Sequence, residues 1–548
     1  MSILRVNLTI LCLSLAALAQ TPLVNPEGPR LSPEEQDRVT ASRLEYRPAV
    51  TILGGMVRTL KNNPALSDAT KAEADKLTAE AMALQKAGNN GEARRRLSHA
   101  IALLRGKPWT EKEEYAASLV LRPNLVAADL SSVNIAQLAQ TYPVAYKSGS
   151  VLQLRLSLLE APKSLALDVV NSGGKTVANV GAFEIPARDL IEEPFRFDLK
   201  LAGVMEGSYL LAAEIFEGDS SLGRMVAPVH LVRDWAERQI TIEQKLTKIK
   251  EHDSTKATIR YPFDLARTLN AGQRDILGYD FAKEVTRSEE LLKALETGKD
   301  PLYRAKGDNR RNYNFTESGE IMPYRVYVPT TWDGKKQLPL VMALHGANLD
   351  EMNMLSRADN KMLKIAEEKD YIVVTPLGYR INGAYGNRNM AGGATVSGSP
   401  LTPARIKMTE LSEQDVMNVL EMTATEYNVD RSRIYLMDNS MGGAGTFRLG
   451  AKYAEKFAAL APSASGLGNP QNPESADYPF ERIKGMPLML IVGEKDAGVL
   501  PGAKIAVKLM KEHGLDPIFV EVSGGTHGSA IEIALADVFE FFGKHQRQ

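Results

Sequence analysis

From Pro301 to the C-terminus, short unbroken apolar runs alternate with amphipathic stretches of helical period. That alternation limits the fold more than any other property of the chain. The apolar runs fall at 321–328, 338–344, 371–375, 433–437, 486–492 and 518–522, and the helical patterns at 357–369, 412–427, 441–453, 503–513 and 529–544. A strand that is apolar on both sides has no face to offer water. The expected fold class is therefore α/β, a mainly parallel sheet covered by helices on both faces. Sheets of this kind take ligands outside the carboxyl ends of their strands, so the residues directly after each strand are where chemistry is expected.

The chain before this region has other periods. Ala, Leu, Glu, Lys and Arg dominate 32–118, apolar positions recur at helical spacing over 69–84 and 93–104, and Asn89-Asn90-Gly91 separates the two, which predicts a helical hairpin. Between 124 and 233 the period drops to two. Leu152, Leu154, Leu156 and Leu158 share one strand face, further strands are expected at 165–170, 195–199, 208–217 and 225–232, and turn residues stand at 171–174 and 217–219. This pattern predicts a small β-sandwich, immunoglobulin-like in its strand spacing but without the immunoglobulin disulfide. The expected organisation is a leader at 1–19, a helical segment at 20–118, the β-sandwich at 119–233, a polar helix-rich connector at 234–302 and the α/β domain at 303–548. The segments before 303 carry no recognisable catalytic cluster, and their expected role is packing, spacing or restriction of access.

The leader has its own signature. Arg5 supplies a positive start, 8–18 is rich in apolar residues, and Ala17-Leu18-Ala19 ends it, the pattern of a secretory signal peptide cleaved after Ala19. So short a run does not span a bilayer comfortably, and no stable membrane anchor is expected after cleavage. The expected location is outside the cytoplasm, in the periplasm or the medium. Cleavage also removes Cys12, the one cysteine of the 548 residues, so disulfides, cysteine nucleophiles and cysteine metal sites are excluded. With 66 basic and 67 acidic residues, nothing in the charge suits a nucleic-acid backbone. A 44% hydrophobic content argues against a disordered chain.

The most telling strand end is the one after 433–437. There Asp438-Asn439-Ser440-Met441-Gly442-Gly443-Ala444-Gly445 places a serine on a tight turn at the start of a helix, the arrangement of a nucleophile elbow. Small neighbours let the turn hold the serine with its hydroxyl exposed; the usual glycine two positions earlier is here Asp438. A serine hydroxyl needs a base, and histidine is the usual one. Of the three histidines after Ser440, His513 sits at an expected helix end and His545 in the polar tail. His527 lies in Gly524-Gly525-Thr526-His527-Gly528, directly after an apolar strand. Asp496, reached from the 486–492 strand through Gly493-Glu494-Lys495, is the expected partner of that imidazole, with Glu494 as the alternative. For the oxyanion, the expected donors are the backbone N–H groups of Met441 and of Ala347, in His345-Gly346-Ala347-Asn348, with Gly346 as the alternative donor. His345 is expected to buttress that loop. Together with Tyr379 and Tyr385, whose rings could stack on a sugar or phenolic ring, it forms the set of candidate substrate contacts. There is no His-Glu-x-x-His, and no metal is expected.

Five stretches now carry a resemblance: Tyr324-Arg325-Val326-Tyr327-Val328-Pro329, Leu344-His345-Gly346, Ser440-Met441-Gly442-Gly443, residues 493–496 and Thr526-His527-Gly528. Through them the region 324–542 resembles the secreted esterase branch of the α/β-hydrolase superfamily, which includes feruloyl-esterase-like, polyhydroxyalkanoate-depolymerase-like and prolyl-oligopeptidase-like proteins. The resemblance implies an α/β-hydrolase domain that cleaves a carboxylic ester, small or polymer-linked, through an acyl-serine intermediate and without a cofactor. Two other readings stand beside it. One is a prolyl-oligopeptidase-like serine peptidase, although the preceding segment is too small for a β-propeller. The other is a disabled hydrolase that serves as a binding protein.

Overall fold

The structure is a computed structural model that describes residues 50–144, 151–161, 174–271, 278–388, 403–467 and 478–547. The leader with Cys12, the expected strand at 165–170 and the turn residues 171–173 lie outside the described residues. The chain is a mixed α/β protein with central sheets and flanking helices, and it divides into two compact units. One comprises residues 1–244 and 265–286, the other 245–264 and 287–548. No helix among the described residues is long and apolar enough to cross a membrane.

The first unit starts with helices α1 (Val50–Lys61), α2 (Asp68–Lys86), α3 (Asn90–Leu104) and α4 (Glu111–Ser118). Side-chain caps set the starts of three of them: Ser67 accepts from Thr70 N–H, Asn89 from Glu92 N–H, and Thr110 forms a capping box with Glu113. The apolar stripes of α1 to α3 bury Val57, Ala74, Leu77, Ala81, Ala93, Leu97 and Ala100 in one cluster. After α4, strands β1 (Leu119–Pro123), β3 (Ile135–Gln140) and β6 (Phe195–Asp198) form an antiparallel sheet. A second sheet has the order β2-β8-β7-β4-β5, made of β2 (Ala127–Asp129), β4 (Leu152–Glu160), β5 (Thr176–Glu184), β7 (Gly207–Glu217) and β8 (Ser220–Val232). Leu152, Leu154, Leu156 and Leu158 of β4 all face inward, as their alternation predicts. They meet Leu121, Leu138 and Phe197 of the first sheet in a shared apolar cluster. The expected connector is helical, with α5 (Trp235–Leu246), α6 (Asp253–Asn270) and α7 (Phe281–Glu296).

In the second unit the strands are β9 (Gly307–Phe315), β10 (Glu320–Val328), β11 (Leu340–Leu344), β12 (Ile372–Pro376), β13 (Ile434–Asp438), β14 (Ala459–Ala461), β15 (Met489–Gly493) and β16 (Ile518–Val522). Six of them form a sheet in the order β14-β13-β11-β12-β10-β9, and β15 pairs with β16. Bridges Leu460↔Leu488 and Ser463↔Ile491 join the two sets edge to edge, and β10 alone runs antiparallel to both of its neighbours. The apolar runs of β10 to β13 and of β15 are buried on both sides, whereas β16 leaves Ile518 and Glu521 exposed. Leu340, Met342, Leu344, Ile434 and Leu436 face one core with α9 (Pro403–Glu426), α10 (Met441–Lys452) and α11 (Leu500–Glu512). Val341, Ala343, Tyr435 and Met437 face another with α8 (Asn353–Glu368) and α12 (Ala530–Gly543).

Two strands of this sheet were not among those expected. β14 has three residues, too few for a periodic signal. β9 reads as polar, Gly-Asp-Asn-Arg-Arg-Asn-Tyr-Asn-Phe, yet Arg311 and Asn312 are buried in it. Several of their polar groups find partners far away in sequence: the backbone Asn312 N–H donates to Thr258 Oγ1 at 3.0 Å, and the Arg311 guanidinium donates to Glu426 at 2.6 Å, to Tyr427 Oη at 3.1 Å and to Ser254 Oγ at 3.1 Å. Removing the guanidinium leaves Glu426 without its buried counter-charge. Arg311→Ala is expected to lower stability by about 3–5 kcal/mol, read as the shift in the urea unfolding free energy at constant slope.

Candidate active site

Ser440 sits where β13 turns into α10, with φ 59° and ψ −112°, a region that L residues enter only under strain. Ser440 N–H donates to Ser463 O at 3.0 Å and Gly443 N–H to Ser440 O at 2.8 Å, which pins the turn from both sides. The helix behind it approaches very closely. A Cβ on Gly442 would lie 2.6 Å from Leu344 O and 2.8 Å from Asp438 Cβ, and one on Gly443 would lie 2.6 Å from Ser463 O. Only glycine allows this approach, and it brings the ends of β11 and β13 to the same point as Ser440.

Asp438, which stands where an elbow usually has glycine, is completely buried. Its Oδ1 accepts the Ser463 N–H at 2.8 Å, so the side chain ties the exit of β13 to the exit of β14. Burial pushes its carboxyl well above the usual range, partly offset by Thr446 and by that N–H. The elbow therefore holds a buried carboxyl group that bridges two strand ends.

The three residues expected to act together do meet. Ser440 Oγ lies 2.8 Å from His527 Nε2, and His527 Nδ1 lies 2.7 Å from Asp496 Oδ2. A carboxylate can only accept, so Nδ1 carries the proton and Nε2 is left to accept the serine hydroxyl. Asp496 is buried, whereas the His527 side chain is 48% exposed. Glu494 faces elsewhere: it accepts Gly524 N–H at 2.7 Å and the Ser523 hydroxyl at 3.3 Å, bonds that hold its carboxyl below the usual range. It closes the turn before His527 and leaves the imidazole to Asp496.

Among the described residues, the Met441 and Ala347 N–H groups donate to no protein acceptor. Both flank the serine turn. A Cβ on Gly346 would lie 3.4 Å from Asn439 O, the carbonyl next to Ser440. The 345–348 loop is held from behind by the segment after β12. His345 is buried, with Nδ1 2.8 Å from Gly346 O and Nε2 2.8 Å from Leu377 O, and burial pushes its pKa down. Tyr385 donates to His345 O at 3.2 Å, and Asn348 N–H donates to Ile381 O at 3.1 Å.

These contacts correct the expected substrate contacts. Tyr385 has no exposed surface and packs against Gly445. Tyr379 is buried as well, its hydroxyl donating to Glu320 at 3.2 Å and its N–H to Asp415 at 2.8 Å. His345, Tyr379 and Tyr385 are thus framework behind the loop, with no free face for a ligand. Their burial comes from partners on β10 and α9, far away in sequence. Part of the same loop, 389–402, lies outside the described residues. A cavity of about 210 Å³ opens at the other end of the strands, lined by Lys336, Tyr371, Arg433 and Tyr435 and remote from Ser440. Among the described residues no group of three His, Cys, Asp or Glu side chains is arranged to hold a metal ion.

No family model matches the chain. A bifunctional acetylxylan esterase/xylanase of Neocallimastix patriciarum is 27% identical over 146 residues, which is 27% of this chain, and the match spans only 18% of that curated relative. Among solved structures, a ferulic acid esterase of Anaeromyces mucronatus is 20% identical, covering 44% of this chain and 92% of its own, at a TM-score of 0.33. A fluorophosphonate-binding serine hydrolase of Staphylococcus aureus is 15% identical, covering 43% and 98%, at 0.34. A thermostable esterase is 17% identical, covering 79% and 96%, also at 0.34. Likenesses this distant carry no weight for the activity, which has to be argued from the site.

Two expectations follow from this geometry. Gly442→Ala forces a methyl group onto a backbone carbonyl and should cost about 1–3 kcal/mol, whereas Gly502→Ala, in open space on α11, should be neutral or slightly stabilising; thermal melts of both variants decide. Asp350, just after the 345–348 loop, is pushed up to about 7 by burial and by Glu351, with Arg310 opposing. Its unfolded value is about 3.9, so folding takes up a proton between these values and stability falls as pH rises through them. Asp350→Asn should flatten that fall in melting temperature between pH 4 and pH 7, at about unchanged stability on the acid side.

Proposed function

We propose that this protein is a secreted serine hydrolase of the α/β-hydrolase kind that cleaves carboxylic esters through an acyl-serine intermediate. The observation that carries the reading is the Ser440–His527–Asp496 chain, at 2.8 and 2.7 Å, with the serine on a strained strand-to-helix turn. The strand order, with one antiparallel hairpin at the edge and the three residues each following a strand, supports the fold assignment.

In this reaction His527 takes the proton of Ser440 as Oγ attacks the ester carbonyl, and Asp496 stabilises the imidazolium that forms. The carbonyl oxygen becomes an anion between the Met441 and Ala347 N–H groups, at the N-terminus of α10. Collapse expels the alcohol, which takes the proton from His527. A water molecule, deprotonated by the same imidazole, then attacks the acyl-serine and frees the acid. Secretion rests on the pattern of residues 1–19. An acyl group on a carbohydrate polymer is the first substrate class to test, because the curated relative is an acetylxylan esterase/xylanase.

The test is a hydrolysis panel: short- and long-acyl p-nitrophenyl esters, acetylated xylan, methyl ferulate and a proline-containing peptide amide. Ester cleavage is expected. Ser440→Ala should cut kcat by at least about 10⁴-fold, Asp496→Asn by about 10⁴-fold, and Glu494→Gln should stay close to wild type. Cleavage of the amide alone would replace the esterase reading by the peptidase one. Ester cleavage undiminished in Ser440→Ala would remove the nucleophile assignment.

A further inference from the structure

His527 lies on a turn that is anchored at its upstream end. Gly525 N–H donates to Val522 O at 3.0 Å at the exit of β16, while Lys495 N–H donates to Gly525 O at 2.9 Å and Gly524 N–H to Glu494 at 2.7 Å at the exit of β15 beside Asp496. Downstream, the side chains of Thr526 and Ser529 bond to each other across the turn, at 2.9 Å and 3.3 Å from N–H to hydroxyl, and the turn meets α12 through Ala530 N–H, which donates to Thr526 O at 3.2 Å. Gly528, which follows the base directly, has no side chain to fix it.

Arg357 reaches this point from α8. One guanidinium nitrogen, Nη2, donates to Gly528 O; Nε donates to Glu532 Oε1 at 2.9 Å and Nη1 to Asn353 Oδ1 at 3.3 Å. The side chain is 13% exposed. Its backbone departs from the helix: Arg357 is extended at φ −68° and ψ 153°, and Ala358, Asp359 and Asn360 follow at φ 46°, 54° and 57°. Three successive non-glycine residues in the left-handed region are costly, and such strain persists where the surroundings hold it and often marks a functional position. After the break, Lys361 Nζ donates to Glu532 O at 2.8 Å, so the second part of α8 grips the same start of α12.

We propose that Arg357 is the positioning residue for the base: it clamps the Gly528 carbonyl and Glu532 together and so fixes the turn that presents His527 to Ser440. The proposal rests on the hydrolase reading above for its catalytic consequence, though not for the geometry. A planar guanidinium holds a carbonyl and a carboxylate at once through separate N–H groups, which an ammonium cannot reproduce. Losing the clamp frees the Gly528 carbonyl, the peptide directly after His527, and a displacement of the imidazole by about 1 Å is enough to cost about 100-fold in rate.

The experiment compares wild type, Arg357→Ala, Arg357→Lys and Glu532→Gln in the full chain. Four quantities are read: kcat and KM on the best ester of the panel, the rate of labelling by a fluorophosphonate, the melting temperature, and the strongly deshielded proton of the His527–Asp496 hydrogen bond by NMR. In Arg357→Ala, kcat and labelling should fall about 10- to 100-fold with little change in KM, and the deshielded proton should broaden or vanish. Added guanidinium should restore part of the rate. Glu532→Gln, which keeps the Gly528 contact and weakens the other arm of the clamp, should lose less rate than Arg357→Ala. A sharp wild-type resonance and undiminished kcat in Arg357→Ala would overturn the proposal, as would a rate loss that guanidinium does not rescue and that only follows the melting temperature. If Arg357→Ala does not fold, Arg357→Lys is judged by the same criteria. Should the wild type neither label nor hydrolyse any ester, the hydrolase reading fails, and the resonance alone still decides whether Arg357 holds His527.

Discussion

The closeness with which α10 approaches the ends of β11 and β13 underlies the rest of the catalytic unit. Parallel strands at ordinary spacing carry their following loops to one edge, but only a helix whose first turn presents glycines toward that edge can start so near it. Gly442 and Gly443 provide that first turn, lying where any Cβ would meet the backbone of Leu344 or Ser463. The strain at Ser440 is the other side of the same fit. The two strand exits, the turn and the helix start overdetermine its conformation, and burial of the apolar residues on both faces of the sheet supplies the stabilisation that offsets it.

Asp438 shows how a departure from the usual elbow can be accommodated. A carboxyl group at this place is wholly buried, which pushes its pKa up, and one of its oxygens is met by the Ser463 N–H. Glycine would leave that N–H to another partner. The substitution thus exchanges backbone freedom for a cross-strand tie at the point where the turn is most strained.

Much of the second unit was legible in the sequence because its strands are continuous apolar runs, and the serine, aspartate and histidine follow three of those runs. The site residues are adjacent for the same reason: strand ends converge whatever the loops between them do. What could not be read were contacts made over long sequence distances. β9 carries Arg311 and Asn312 into the interior because Thr258, Ser254 and Glu426 await them, and no local pattern records those partners. Tyr379 and Tyr385 read as loop aromatics open to a ligand, yet Glu320, Asp415 and the carbonyl of His345 draw them inward. The choice between Glu494 and Asp496 was likewise a matter of geometry, since both lie in one short turn and only one faces the imidazole.

Asp496 is shut away from solvent, while nearly half of the His527 side chain is open to it. The pair therefore divides two requirements between two environments. The carboxylate works where water cannot weaken its hold on the ring, and the ring works where water arrives freely. In the two-step hydrolysis proposed above, the ring that activates the second nucleophile is thus already open to water, while its orientation is fixed from the buried side.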